Sequence, residues 1–261
     1  GGRMSTGTRR PTPYERLAYL PQSDGPHVLL GVGWFMLVVG AATIGRYGIC
    51  VLFAAIGGIA AMQTARSWMA QGRDADRILA AAAVVAMSVA GLLSAVAVLV
   101  VAVVALIATV VTDVLSSRRA IVATVRAWLP IGICTGACVV IARADMGAFV
   151  ILFVLISVFE VGNYIVGTDA TSVFEGPIAG MAAVLVITFA EAVFQLGPFD
   201  DRAAWVFGAV IAVLAPLGSP VASAIAPTAR AAGPALRRLD AWLVVAPVWA
   251  WMLHNWLVRV R

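Results

Sequence analysis

The chain has 261 residues, 62% of them hydrophobic and 12% charged, with a mean hydropathy of +0.99 and a formal net charge of +5. A soluble domain carries about a quarter of its residues charged, so a soluble domain of any size is excluded and a polytopic membrane protein remains. All 18 basic residues are arginine, which excludes a mechanism built on lysine. The positive balance reads as loop bias across a membrane and attraction to anionic lipid heads, with no nucleic-acid partner.

Gly1 to Arg3 precede Met4 and read as an expression remnant, followed by a polar, proline-containing segment to Gly25. No signal peptide is evident, so segment 1–25 is expected to be cytoplasmic, with the first helix as its own insertion signal. The apolar stretches that follow lack the alternation of a membrane barrel. In hydrocarbon the backbone must satisfy its own hydrogen bonds, so these stretches are predicted to be helices.

A spanning helix needs about 20 apolar residues, and about 17 suffice. The first candidates are Val28–Ile44 and Tyr47–Gln63. Ile78–Thr112 is one uncharged run of 35 residues. As a single helix it would be roughly 52 Å long against a core of about 30 Å, so it is read as two helices with a turn near Gly91–Ser94. The remaining candidates are Ala127–Ala142, Gly147–Val166, Ser172–Leu196, Ala203–Leu217 and Ala241–Leu257. The prediction is therefore an all-α bundle of about nine transmembrane helices: five in residues 26–145 and four in residues 146–261. With the N-terminus inside, thirteen arginines fall on the cytoplasmic side and five (Arg46, Arg143, Arg202, Arg259, Arg261) on the other. That bias sets the expected orientation. It places Thr168–Ser172 and Gly218–Asp240 on one side, where two distant loops can build one site.

Gly132-x-x-x-Gly136 and Gly176-x-x-x-Gly180 allow close helix approach, either inside the bundle or at a dimer face. Cys134 and Cys138 lie one helical turn apart, but with His27 and His254 remote they read, like Cys50, as small apolar residues rather than a metal pair. No internal repeat appears, which weighs against many transporter folds.

Ionisable residues inside membrane segments are costly and face partners, cavities or sites. Glu160, Asn163, Tyr164 and Gly167 recur at i, i+3, i+4 and i+7, on one helix face. Asp169, Thr171 and Ser172 are candidate N-caps for the next helix, and Glu175 suits the positive end of its dipole. A polar cavity and a set of interhelical bonds with ordinary capping fit this pattern equally. Glu191 and Gln195, a turn apart near the far end of the following helix, fit a proton path, but reach to the nearby interface or a neighbouring hydrogen bond is favoured. Asp200-Asp201-Arg202 reads as a solvated turn. Arg237 and Arg238, before the last helix, suit either phosphate or interfacial anchoring.

Three stretches together carry a family resemblance: Val161-Gly162-Asn163-Tyr164-Ile165-Val166-Gly167, then Glu175-Gly176 with Ala179-Gly180, then Leu236 to Asp240 running into the last helix. In order and spacing they resemble the bacterial CDP-diacylglycerol synthases (phosphatidate cytidylyltransferases). Those enzymes carry Asp before an x-x-x-Tyr-x-x-Gly pattern. A Ser-Pro-x-Lys-Ser/Thr-x-Glu-Gly stretch opens their next helix, and a His-Gly-Gly-x-x-Asp-Arg-x-Asp motif precedes the final one. The resemblance implies a multi-pass protein of the bacterial plasma membrane in contact with membrane phospholipid.

The departures fall on the charged positions. Glu160 replaces the first Asp, and the loop after Tyr164 is shorter than the family's. Ser172 stands at the lysine position, Gly218-Ser219 at a Gly-Asp pair, Ala226-Pro227 at a Lys-Arg pair and Ala232-Gly233-Pro234 at His-Gly-Gly. Arg237 replaces the first Asp of the last motif, leaving Arg238 and Asp240. The family reaction brings two polyanions together and needs divalent metal and basic side chains to offset their charge.

Three expectations follow. In the first, a non-catalytic relative needing no cofactor keeps a lipid-phosphate pocket or acts beside a protein partner or a second copy. In the second, an active cytidylyltransferase uses Glu160 and Asp240 as catalytic and Mg²⁺-ligating carboxylates. Asn163, Tyr164, Ser172, Glu175, Arg237 and Arg238 would then bind substrate. In the third, a transporter component uses Glu160 and Glu191.

Overall fold

In the computed structural model the described residues are 27–116, 120–168, 170–195, 197–228 and 231–260. Among them there are eleven α-helices and no strands: α1 His27–Ile44, α2 Arg46–Met69, α3 Arg77–Ala90, α4 Ala95–Leu115, α5 Ile121–Ala144, α6 Met146–Gly167, α7 Glu175–Phe194, α8 Asp201–Leu214, α9 Gly218–Ile225, α10 Pro234–Arg237 and α11 Asp240–Val260. Seven spans are long and apolar enough to cross a membrane, the sixth running from Asp201 through Ile225. The apolar helices α1 and α3 are shorter.

The long uncharged run divides as expected. Gly91 ends α3, and the Ser94 hydroxyl accepts the Ala97 N–H at 2.9 Å to start α4. Asp76, Asp145 and Asp200 cap α3, α6 and α8 in the same way, satisfying donors that a helix start leaves unpaired. The Asp200 triplet is thus a capped turn.

One boundary differs in substance. The chain from Gly218 was expected to be loop, yet Gly218–Ile225 is helical and continues the span through a 3₁₀ turn at Ala215–Leu217. Pro216 and Pro220 each lack an N–H and break the α-helical ladder locally. The turn tightens around them, and the small residues that follow resume the helix. Elsewhere most helices run past their predicted ends, furthest at α2 and α5, while α7 is shorter than predicted at both ends.

Helix α5 is the most deeply buried of the seven and α4 the least. The inner surface of α5 is built from small residues, including Ala123, Ala127, Gly132, Cys134, Gly136 and Cys138. Both glycine pairs close contacts within the chain. A Cβ on Gly132 would strike the Met87 sulfur, and one on Gly136 would lie 2.8 Å from Val98 Cγ1. On α7, a Cβ on Gly176 would lie 2.7 Å from the Asn163 carbonyl and one on Gly180 2.7 Å from the Phe159 carbonyl, both on α6. Gly180→Leu therefore meets backbone that cannot yield. It is expected to destabilise by about 1–3 kcal/mol, read as a lower midpoint of thermal unfolding in detergent. The three cysteines are free and buried, as small core residues would be.

Trp242 near the start of α11 is buried among Phe53, Phe149 and Phe153, with ring centroids at 5.3, 6.1 and 6.4 Å. This cluster joins α2, α6 and α11 and fixes where α11 begins. Midway along α11, Trp249 packs between Phe199 and Phe207 and donates to the Phe207 carbonyl at 3.3 Å.

Candidate functional site

The segment leading into α11 is held from α2. Gln63 Oε1 accepts the Ala235 N–H at 3.2 Å, the Ser67 hydroxyl donates to the Ala231 carbonyl at 2.9 Å and Trp68 Nε1 donates to the Ile225 carbonyl at 3.1 Å. The Arg126 guanidinium lies over the Trp68 ring, 5.6 Å from its centroid. Polar side chains at the end of an apolar helix seek partners. Gln63 and Ser67, at i and i+4, find them in the backbone of this segment. Sequence reasoning passed over them, although their spacing was the available signal.

Held there, Arg237 and Arg238 point in different directions. Arg237 reaches back toward α9. Its Nη1 donates to Asp240 Oδ2 at 3.2 Å, to the Ser219 hydroxyl at 3.3 Å and to the Ser219 carbonyl at 3.4 Å, while Nη2 donates to the Ser223 hydroxyl at 3.1 Å. This is the only ion pair among the described residues. Its side chains are 15% and 18% exposed, so it is largely shielded from water. The close approach rests on Gly218, where a Cβ would run into the Asp240 carbonyl. The second oxygen, Asp240 Oδ1, is buried with no hydrogen-bond partner among the described residues.

Arg238 turns toward α1 and α6. A Cβ on Gly31 would lie 3.8 Å from its Nη1, and its charge attracts Glu160 on α6. Asp240 also acts on Glu160, as a like charge. Arg237, Arg238 and Asp240 thus cluster at the start of α11 beside Ser219 and Ser223, and Glu160 of α6 lies within reach of the charges of Arg238 and Asp240. Ser219, Ser223 and Gly31 belong to this cluster and were not among the predicted site residues. The serines sit in the stretch read as loop, and Gly31 carries no side chain to notice.

The remaining predicted residues separate. The Asn163 side chain faces Gly176 on α7, with its Oδ1 3.6 Å from a Cβ placed on Gly167. Tyr164 is partly buried, and its carbonyl accepts from Thr168 at the end of α6. Glu175 is exposed and folds back on its own turn, where its Oε1 accepts from the Ser172 N–H and the Thr171 hydroxyl, each at 3.0 Å. The Ser172 hydroxyl in turn accepts the Phe174 N–H at 3.3 Å. Ser172 and Glu175 thus close the turn that leads into α7, whose own N-cap position, Phe174, makes no side-chain cap bond. Asp169 lies outside the described residues.

Glu191 departs from the favoured expectation. It is 6% exposed, and its Oε1 has no hydrogen-bond partner among the described residues. The Thr188 hydroxyl, one turn earlier, is likewise buried without a partner and faces Gly208 of α8. Gln195, in a left-handed conformation at φ 49°, ends α7.

Comparison with protein-family models, with characterised proteins and with solved structures finds no match to this chain in any of the three.

Proposed function

We propose that the chain is a nine-crossing protein of a bacterial plasma membrane, with its N-terminus and the start of α11 on the cytoplasmic side. It holds a phospholipid phosphate weakly at Arg238 and performs no nucleotidyl transfer. In this reading α1 and α3 cross as short helices, completing the count to nine, and the thirteen-to-five arginine bias orients the whole. The protein then works as a lipid-contacting scaffold, alone, beside a protein partner or as a second copy of itself.

The observation that carries the reading is the Arg237–Asp240 pair at 3.2 Å. A CTP-dependent transfer would need magnesium, which takes carboxylate and phosphate oxygens. Of the two carboxylates here, Asp240 has a guanidinium on one oxygen and Glu160 is drawn to another. Two fixed cations repel a third. Among the described residues no three His, Cys, Asp or Glu side chains gather as a metal site. The donor set does not suit magnesium.

Lipid phosphate fits the place better, on modest terms. Arginine near an anionic surface is worth about 1 kcal/mol per residue, and Glu160 competes for Arg238. A preference among lipids is expected rather than tight capture. Protein in nanodiscs should enrich phosphatidate over phosphatidylcholine, and Arg238→Gln should reduce that enrichment about fivefold. Incubation with CTP, phosphatidate and Mg²⁺ should release no pyrophosphate. Pyrophosphate release that Asp240→Asn abolishes would replace this reading with an active cytidylyltransferase. The burial of Glu191 favours a transport role as the second reading; substrate flux in liposomes that Glu191→Gln abolishes would establish it.

A further inference from the structure

A cavity lies away from the Arg237–Asp240 cluster. It is an open cavity of about 440 Å³ lined by Arg46, Arg143, Ala144, His254, Leu257 and Val258. His254 is fourteen residues beyond Asp240 on α11, which at helical rise places it about 21 Å along the axis. The cavity therefore sits at the far end of the bundle, on the side with few arginines.

Two of those few converge on it from distant parts of the sequence. Arg46 opens α2 and Arg143 stands in the last turn of α5. No Asp or Glu among the described residues lines the cavity. The nearest carboxylate in sequence, Asp145, accepts the Ala148 N–H at 2.9 Å as the cap of α6. Arg46 contacts Tyr47, its Nη2 donating to the phenol oxygen at 3.3 Å, with its guanidinium carbon 5.0 Å from the ring centroid. That contact orients the guanidinium, which has no carboxylate partner among the described residues. Two guanidinium groups drawn to one cavity repel each other. An anion between them reverses the sign, and the arginine fork is matched to phosphate oxygens. His254 offers a further ring nitrogen. Ala144, Leu257 and Val258 supply an apolar wall, and the volume lies within the range of small-ligand sites.

We infer that the cavity between the start of α2, the end of α5 and the last turns of α11 is a binding site for a phosphate-bearing anion, held between Arg46 and Arg143. A lipid headgroup of the adjacent leaflet and a soluble phosphate share that chemistry, and the apolar wall accommodates the first carbons of a lipid.

The test uses the full chain in neutral detergent, carrying Arg238→Gln so that the opposite cluster does not contribute. Phenylglyoxal modification of Arg46 and Arg143 is mapped by peptide mass spectrometry, with Arg259 as the reference. The added probes are inorganic phosphate, dioctanoyl phosphatidate or no anion. Both arginines should be protected together while Arg259 is not. Protection by both probes assigns the site to phosphate itself, and protection by the lipid alone assigns it to a headgroup. In binding titrations with the effective probe, Arg46→Gln and Arg143→Gln should each weaken affinity about tenfold, the loss of one charge-assisted contact. Both side chains are exposed, so thermal unfolding should be unchanged. No protection from either probe, or unaltered affinity in both variants, overturns the proposal. Should a variant fail to fold, the protection assay on the chain with both arginines intact decides alone.

Discussion

Trp242→Ala is expected to destabilise the protein by about 3–5 kcal/mol, the range for deleting a large buried aromatic side chain. In a membrane bundle the lost term is packing, because lipid tails are as apolar as the protein interior. Three phenylalanine rings from α2 and α6 contact the Trp242 indole, with centroids between 5.3 and 6.4 Å. They cannot collapse into the gap without moving whole helices, so the cavity persists. Trp242→Phe separates packing from polarity. The indole Nε1 is buried without a hydrogen-bond partner among the described residues, so the exchange removes an unsatisfied donor that costs about 1–3 kcal/mol. That gain offsets much of the lost volume, and the Phe variant should remain within about 1 kcal/mol of the parent. Denaturant titrations in mixed micelles would check both values. Equal losses for the two variants would show that the indole nitrogen is satisfied in the native protein.

Arg237→Met is expected to cost a similar amount, about 3–5 kcal/mol, for a different reason. The guanidinium donates to Asp240 Oδ2 at 3.2 Å, and Asp240 Oδ1 has no hydrogen-bond partner among the described residues. Removing the cation leaves a shielded carboxylate without its counter-charge. Most of the penalty comes from that stranded charge rather than from the contact itself. The double variant Arg237→Met/Asp240→Asn should therefore recover most of the loss. The cycle of four proteins, each measured by thermal unfolding, gives the coupling directly. A double variant no more stable than Arg237→Met alone would mean that the bonds to Ser219 and Ser223 carry the arginine's contribution.

Long apolar runs were readable because the bilayer dictates their length and leaves the backbone one regular solution. The Gly91–Ser94 turn was readable for the same reason, since 35 uncharged residues cannot cross as one straight helix. The region after Pro216 was not. Two prolines and a glycine signal a loop locally, and only contact with α11 shows why a helix resumes there. The cluster at α11 was half readable. Arg237 and Asp240, selected as charges out of place, pair at 3.2 Å, and Glu160 lies within reach of the charges of Arg238 and Asp240. Along the face shared by Glu160, Asn163 and Tyr164, successive positions meet different neighbours, because a packed helix divides its face among several elements. Asn163 went to α7 and Glu160 to α11. The distant cavity was invisible, because Arg46, Arg143 and His254 are nearly a hundred or more positions apart in sequence and were noticed only as outward charges or a lone histidine.

Both glycine seams are closed by neighbours in the same subunit, and this bears on what the protein presents to its surroundings. The outward surface of α4 is instead studded with branched and bulky aliphatic side chains such as Val96, Leu99, Val103 and Ile107. Such a surface holds a neighbouring backbone at arm's length and makes no directional bond. Copies diffusing in a bilayer would slide past one another, with acyl chains as good a companion as a sister molecule. Any lasting assembly would have to be organised from the polar rims, where the arginines are.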